Sequence, residues 1–188
     1  MLDVSGHGVG AALVGFHLNF LTQQWIATRP LAEQNHLLEY VKWINAEMEQ
    51  EYGQMGIFLS GIFGLCDEEK EQLHLISTGS PPPVVQTDSF HTIEIKNSLA
   101  LGVISPANFS VNTLTTKTWK RIIFFTDGIY EIQTPSKEML SIPGFLKILD
   151  KLEKDGLFSL VNLYNRIAKE YSYRFEDDVT IFMLEKKQ

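Results

Sequence analysis

One cysteine in 188 residues leaves no partner for an internal disulfide, so packing and hydrogen bonding must hold this chain together. No stretch reaches the roughly 18 consecutive apolar residues that span a bilayer, and the start lacks the charged-then-apolar order of a secretory signal. The expectation is a cytoplasmic protein with no membrane contact. Basic runs never exceed a pair and the net charge is −7, which argues against nucleic acid or an anionic membrane as a partner. No His/Cys cluster with zinc-ligand spacing is present, nor any internal repeat or low-complexity tract.

What is present suffices for one sizeable core: 44% of residues are hydrophobic and 21% charged, so residues 1–188 are expected to form a single domain. From Gly8 to about Thr28, Ala12, Leu13, Phe16, Phe20, Leu21 and Ile26 recur at helical spacing, and Arg29-Pro30 ends that helix. A second helix is predicted from about Ala32 to Glu51, with Leu37, Leu38, Val41, Ile44 and Met48 as its buried stripe. Gly53 and Gly56 close it, and Trp25 and Trp43 read as packing residues.

Beyond Gly56 the period changes to that of strands. Residues 57–66 and Gln72 to Thr78 flank the acidic turn Asp67-Glu68-Glu69-Lys70-Glu71, which predicts an antiparallel hairpin. Cys66 ends the first of these strands and reads as buried packing. Three prolines at 81–83 carry no amide donors and must break the ladder. Val84-Val85 and Phe90 to Ile95 read as short strands, and Phe109 to Leu114 with Lys120 to Thr126 as another antiparallel pair. Two helices, Glu138 to about Leu152 and Leu157 to about Tyr171, precede a last strand, Asp178 to Leu184, which is apolar on both faces and so expected inside a sheet. The order predicts an α+β sandwich of antiparallel sheets packed face to face with helical pairs outside.

Three acidic corners stand out. Asp3 lies between short apolar residues and a Gly-His-Gly turn that opens a helix. Asp127 ends the buried-strand run 120–126 just before Gly128, and Glu176-Asp177-Asp178 opens the last strand. Aspartates at strand ends, far apart in sequence, can meet at one sheet edge, and carboxylates without a His/Cys cluster favour Mg²⁺ or Mn²⁺ over zinc. Glu176 reads as a solvated neighbour. Ser5 has no base-plus-acid partner that would make it a nucleophile.

"DVSGHGVGAAL", "STGSPPPVV", "LGV", "FFTDGIYE" and "EDDVT", in that order, resemble the metal-dependent protein phosphatase (PPM, type 2C) family in its bacterial SpoIIE/RsbU-like branch, from Leu2 to about Leu184. The resemblance implies a four-layer αββα sandwich, two antiparallel sheets flanked by helix pairs. It implies a two-metal Mn²⁺ or Mg²⁺ site with Asp3, Asp127 and Asp177 as ligands, the Val4 carbonyl as a further one, and Asp178 in support. His7 is the candidate proton donor to the leaving group. Gly6, Gly8 and Gly128 are candidate positions for close backbone approach, where a side chain would obstruct the site. Family members carry a Gly-Asp on one or two strands before the first motif, and this chain has no Gly-Asp pair. The reading is therefore of a domain that lacks its first strand or strands and has an unmatched sheet edge, which invites a homodimer. An upstream sensor or receiver domain is expected in the natural protein.

The activity implied is hydrolysis of phosphoserine or phosphothreonine on a signalling phosphoprotein, an anti-sigma-factor antagonist, by metal-activated water. Where the family has Gly-His this chain has Gly79-Ser80. That departure favours the alternative, a non-catalytic module that keeps the fold and binds a partner.

Overall fold

The computed structural model describes residues 1–29, 33–133, 139–171, 175 and 177–186. Pro30, Glu176 and the predicted helix starts at Ala32 and Glu138 lie outside them. In chain order the elements are β1 (Leu2–Val4), α1 (Val9–Thr28), α2 (Gln34–Tyr52), β2 (Leu59–Asp67), β3 (Gln72–Thr78), β4 (Val84–Gln86) and β5 (Phe90–Thr92). There follow β6 (Asn97–Ser98), β7 (Asn112–Thr115), β8 (Arg121–Phe125), α3 (Ser141–Lys154), α4 (Leu160–Glu170) and β9 (Ile181–Glu185). The chain divides into two compact units, Met1–Ser80 with Ile95–Lys117, and Pro81–Glu94 with Thr118–Gln188. The first passage between them falls at the proline run, where missing amide donors stop the β3 ladder.

The first unit holds a five-stranded sheet in the order β1-β2-β3-β6, with β7 also paired to β3. Its pairings are antiparallel except for the two-residue β3–β6 contact, which is parallel. The acidic turn closes the β2–β3 hairpin, Asp67 accepting the Lys70 N–H at 2.9 Å. Leu37, Val41, Ile44 and Met48 of α2 pack with Leu59, Phe63 and Ile76 of the sheet, as the stripe predicts. Burying each such side chain contributes about 1.5–3 kcal/mol.

The face of α1 departs from its spacing. Val14, Leu18, Leu21 and Trp25 are buried, whereas Leu13, Phe16, Phe20 and Ile26 are exposed. Apolar residues lie all round α1, so its own pattern does not select the inward side. Trp25 and Trp43 stack with centroids 4.8 Å apart and act in packing. Cys66 is exposed, contrary to expectation, because it takes an outward place in the alternation of β2. Partial desolvation, with Glu68 and Asp67 close by, pushes its thiol up and away from nucleophilic reactivity.

The second unit holds a four-stranded antiparallel sheet in the order β5-β4-β8-β9. Phe145, Leu149 and Leu152 of α3 and Leu163 and Ile167 of α4 form its core with Val84, Ile123 and Phe125. Ser159 caps α4 by accepting the Asn162 N–H at 3.0 Å. Two strands depart from their expected places. The segments read as an antiparallel pair, Phe109 to Leu114 and Lys120 to Thr126, supply β7 and β8 of different sheets: β7 pairs with β3 and β8 with β4 and β9. β9 lies at an edge, and half-exposed Phe182 spends its apolar surface on a cross-strand stack with Phe124 at 6.1 Å.

Candidate active site

Each unit holds candidate residues of its own. In the first, β1 is short and pairs with β2 so that Asp3 stands opposite Ser60. The pairing continues one residue further, the Ser5 N–H donating to the Phe58 carbonyl at 2.9 Å. Gly6 and Gly8 then turn the chain with φ of +86° and +85°, in the region L side chains avoid. Nothing lies within 4 Å of a Cβ added at either, so the demand on Gly8 comes from backbone conformation, not from the protein's own atoms crowding it.

Gly8 is also the N-cap of α1 and supplies no side-chain acceptor, and the first turn holds no acid. That leaves amides and the positive end of the helix dipole beside the loop, a setting that suits an anionic group. His7 is exposed, and among the described residues no hydrogen bond fixes its ring.

In the second unit, buried β8 runs through extended Thr126 into a short helical turn, Asp127–Ile129. The Asp127 carbonyl accepts the N–H groups of Tyr130 at 2.9 Å and Glu131 at 3.0 Å. Its side-chain Oδ1 is buried and has no hydrogen-bond partner among the described residues. A buried carboxylate oxygen left unpaired is costly unless a cation or water meets it.

Asp177 and Asp178 lie against this turn. A Cβ at Gly128 would sit 2.6 Å from the Asp178 carbonyl oxygen and 3.3 Å from that of Asp177, so the close approach requires glycine. Buried Thr126 fastens the same loop: its hydroxyl donates to the Asp178 carbonyl at 3.1 Å and accepts the Thr180 N–H at 2.9 Å. Asp177 Oδ1 accepts the Asp178 N–H at 2.8 Å, and both carboxylates are exposed. Asp178 thus takes part through its backbone. Burial, with Glu131 and Asp127 adding negative charge, pushes the Tyr130 phenol up to about 12.

The structure accordingly groups Asp127, Gly128, Asp177 and Asp178 in one unit, and Asp3, Val4, Gly6, His7 and Gly8 in the other. Thr126 and Thr180 were not singled out from sequence. The available signal was a hydroxyl directly before one acidic corner and just after another. Among the described residues no three His, Cys, Asp or Glu side chains form a metal-holding group. The oxygen donors and the orphaned Asp127 Oδ1 nevertheless fit a hard cation.

A family model described as Stage II sporulation protein E (SpoIIE) matches residues 1–187. The chain belongs to the SpoIIE family. This SpoIIE-family chain is similar to phosphoserine phosphatase RsbU of Bacillus subtilis (strain 168), 24% identical over 190 residues that cover 98% of this chain and 54% of RsbU. The RsbU and RsbW domains of Rv1364c from Mycobacterium tuberculosis have a like fold, with a TM-score of 0.76 and 21% identity over 98% of this chain and 50% of that one. The SiaA-PP2C domain of Pseudomonas aeruginosa gives 0.77 and 16% over 99% and 74%.

Among the described residues, two sheets and four α-helices thus make a mixed α+β fold like that of the SiaA-PP2C domain. RsbP of Bacillus subtilis (strain 168), like RsbU named a phosphoserine phosphatase, is 24% identical over 133 residues that cover 70% of this chain and 32% of RsbP. The chain spans about half or less of the curated relatives it matches: 54%, 18% and 32%.

Proposed function

We propose that this chain is the phosphatase domain of a bacterial signalling protein, both units forming one domain that hydrolyses phosphoserine or phosphothreonine on a partner protein. The observation that carries the reading is the buried, unpaired Asp127 Oδ1 at a strand end, in a chain of the SpoIIE family. Asp3, Asp127 and Asp177, with the Val4 carbonyl, are the proposed ligands of Mn²⁺ or Mg²⁺. When bound, such a cation offsets phosphate charge and polarises the attacking water. Gly6 and Gly8 let the backbone approach the phosphate, and the uncapped start of α1 adds favourable dipole. Exposed His7 is free to reach the leaving oxygen and give it a proton. Thr126 and Gly128 keep the Asp177 loop against Asp127.

The proposed substrate is a phosphorylated anti-sigma-factor antagonist in the cytoplasm, and the proposed regulator an upstream sensor or receiver domain. No helix among the described residues is long and apolar enough to cross a membrane. Release of phosphate from such a phosphoprotein, with Mn²⁺, with Mg²⁺ and with chelator, tests the reading. Asp127→Asn is expected to lower the rate by about 100-fold or more; equal rates in the two proteins, or no cation dependence, would refute it. The non-catalytic alternative has one observation behind it: Ser80, where the family has His, is buried and its carbonyl accepts from Asn97, a packing role. It predicts phosphoprotein binding without turnover.

Self-association is proposed through α1. Val9, Leu13, Phe16 and Phe20 are exposed and follow one another in steps of four, three and four, the spacing of a coiled-coil seam. No charged side chain lies on α1, so a second copy can pair with it without burying charge, even though each chain carries −7. The edge strand β1 is a smaller surface for the same purpose.

A further inference from the structure

Exposed apolar side chains gather beside the loop that follows β1. Phe58 is 45% exposed, Val103 53% and Ile104 52%. Their backbone is firmly held. The Phe58 N–H donates to Ser5 Oγ at 3.0 Å while the Phe58 carbonyl accepts the Ser5 N–H at 2.9 Å, so Phe58 is locked opposite the candidate catalytic loop. One residue on, Leu59 and Leu101 exchange both backbone bonds, at 3.0 and 2.8 Å, which lays residues 102–104 alongside residues 57–58.

Asn45, 1% exposed, braces that second segment from beneath. Its Oδ1 accepts the Gly102 N–H at 3.1 Å and its Nδ2 donates to the Ile104 carbonyl at 2.9 Å. A buried amide is tolerated only when so paired. Here it fixes a turn whose two largest side chains, Val103 and Ile104, gain little from the core. Folding alone would be served as well by polar residues at these surface positions, and exposed apolar side chains on neighbouring, firmly held segments point to a contact site.

The segments that carry these side chains hold no charge of their own. In a chain of net −7, residues 4–28, 53–66 and 97–116 contain no Asp, Glu, Lys or Arg. An acid stands at their margin: Glu49, with the Gly102 carbonyl, lies within 3.6 Å of a Cβ placed at Gly53. A partner seated on Phe58, Val103 and Ile104 thus finds no basic residue in these segments and an acid beside them, which favours neutral, apolar residues over acidic ones.

We propose that Phe58, Val103 and Ile104 form a shelf that receives the residues flanking the phosphorylated serine or threonine of the protein substrate, and selects substrates with apolar neighbours over acidic ones. The proposal rests on the phosphatase reading of the Ser5–Gly8 loop and adds to it the class of substrate segment.

The test compares two phosphoserine peptides, one with Leu and Val around the phosphoserine and one with Glu, alongside p-nitrophenyl phosphate, which has no flanking residues. With the full chain and Mn²⁺, kcat/KM is expected to favour the apolar peptide by roughly tenfold. In Val103→Ser/Ile104→Ser, and in the milder Val103→Thr/Ile104→Thr should the first fold poorly, that preference is expected to collapse toward unity. The loss on the apolar peptide should far exceed any loss on p-nitrophenyl phosphate. A preference that survives both variants, or equal rates on the two peptides in the unsubstituted chain, overturns the shelf. If the unsubstituted chain hydrolyses none of the three, the phosphatase reading fails instead. Fluorescence anisotropy of the labelled peptides then decides the shelf separately: tighter binding of the apolar peptide, lost in the variants, supports it, and equal binding overturns it.

Discussion

The Thr126 hydroxyl joins two strand ends, donating to the Asp178 carbonyl and accepting the Thr180 N–H from within a buried setting. Thr126→Val keeps the shape and removes both bonds, leaving two backbone groups unpaired. The expected cost is about 1–3 kcal/mol in urea denaturation, with weaker Mn²⁺ binding by titration calorimetry. Thr126→Ser should restore most of both, and a Val variant as stable as the parent would show that the hydroxyl is not the tether. Gly128→Ala is expected to harm the same loop by steric means, since its Cβ would meet the Asp178 carbonyl at 2.6 Å. Tyr130 gives a pH signature. Its phenol is raised from the ordinary 10 to about 12, so the folded state holds the proton that the unfolded chain releases first. The contribution to stability is complete below pH 10 and is lost as pH rises toward about 12. Melting temperature should therefore fall more steeply over that window in the parent than in Tyr130→Phe.

Among the elements, α1 has two apolar faces with different work. Leu21 and Trp25 belong to the core, and Leu21→Ala should cost about 2–5 kcal/mol. Leu13 and Phe16 face outward, so Leu13→Glu/Phe16→Glu should leave unfolding nearly unchanged while shifting the sedimentation coefficient from dimer to monomer. A parent that sediments as a monomer at all concentrations removes the self-pairing proposal. Arg121 ties four elements of the second unit through Gln86 on β4, Glu153 on α3 and Glu185 on β9, at 2.8, 2.7 and 2.5 Å. Its guanidinium also lies 4.6 Å from the centre of the Phe158 ring. Arg121→Met is expected to cost about 2 kcal/mol, because three acceptors lose a charged donor while partly exposed ones regain water.

For the molecule as a whole, cation binding and folding stability are linked by mass action. If the acidic corners hold a divalent ion only when folded, Mn²⁺ at a hundredfold excess over its dissociation constant should add about 2.7 kcal/mol. Thermal melts with and without Mn²⁺ check this, and Asp127→Asn should lose the increment. Helix positions, the β2–β3 hairpin, the break at the proline run and the acidic corners were all legible in the sequence. Each depends on local periodicity or on residues that carry or lack a particular group. The aspartate before a glycine at a buried strand end could be read in this way; the hydroxyl of Thr126 before it was a visible signal, but its partners were not, because they lie more than fifty positions along the chain.

Tertiary structure alone decided which side of α1 turns inward, that β7 and β8 join different sheets, that β9 is an edge strand, and that Asp178 acts through its backbone. Those outcomes depend on what stands opposite each surface once distant segments pair, and a period of 3.6 or 2 orients a side chain relative to its own element but does not name its neighbour.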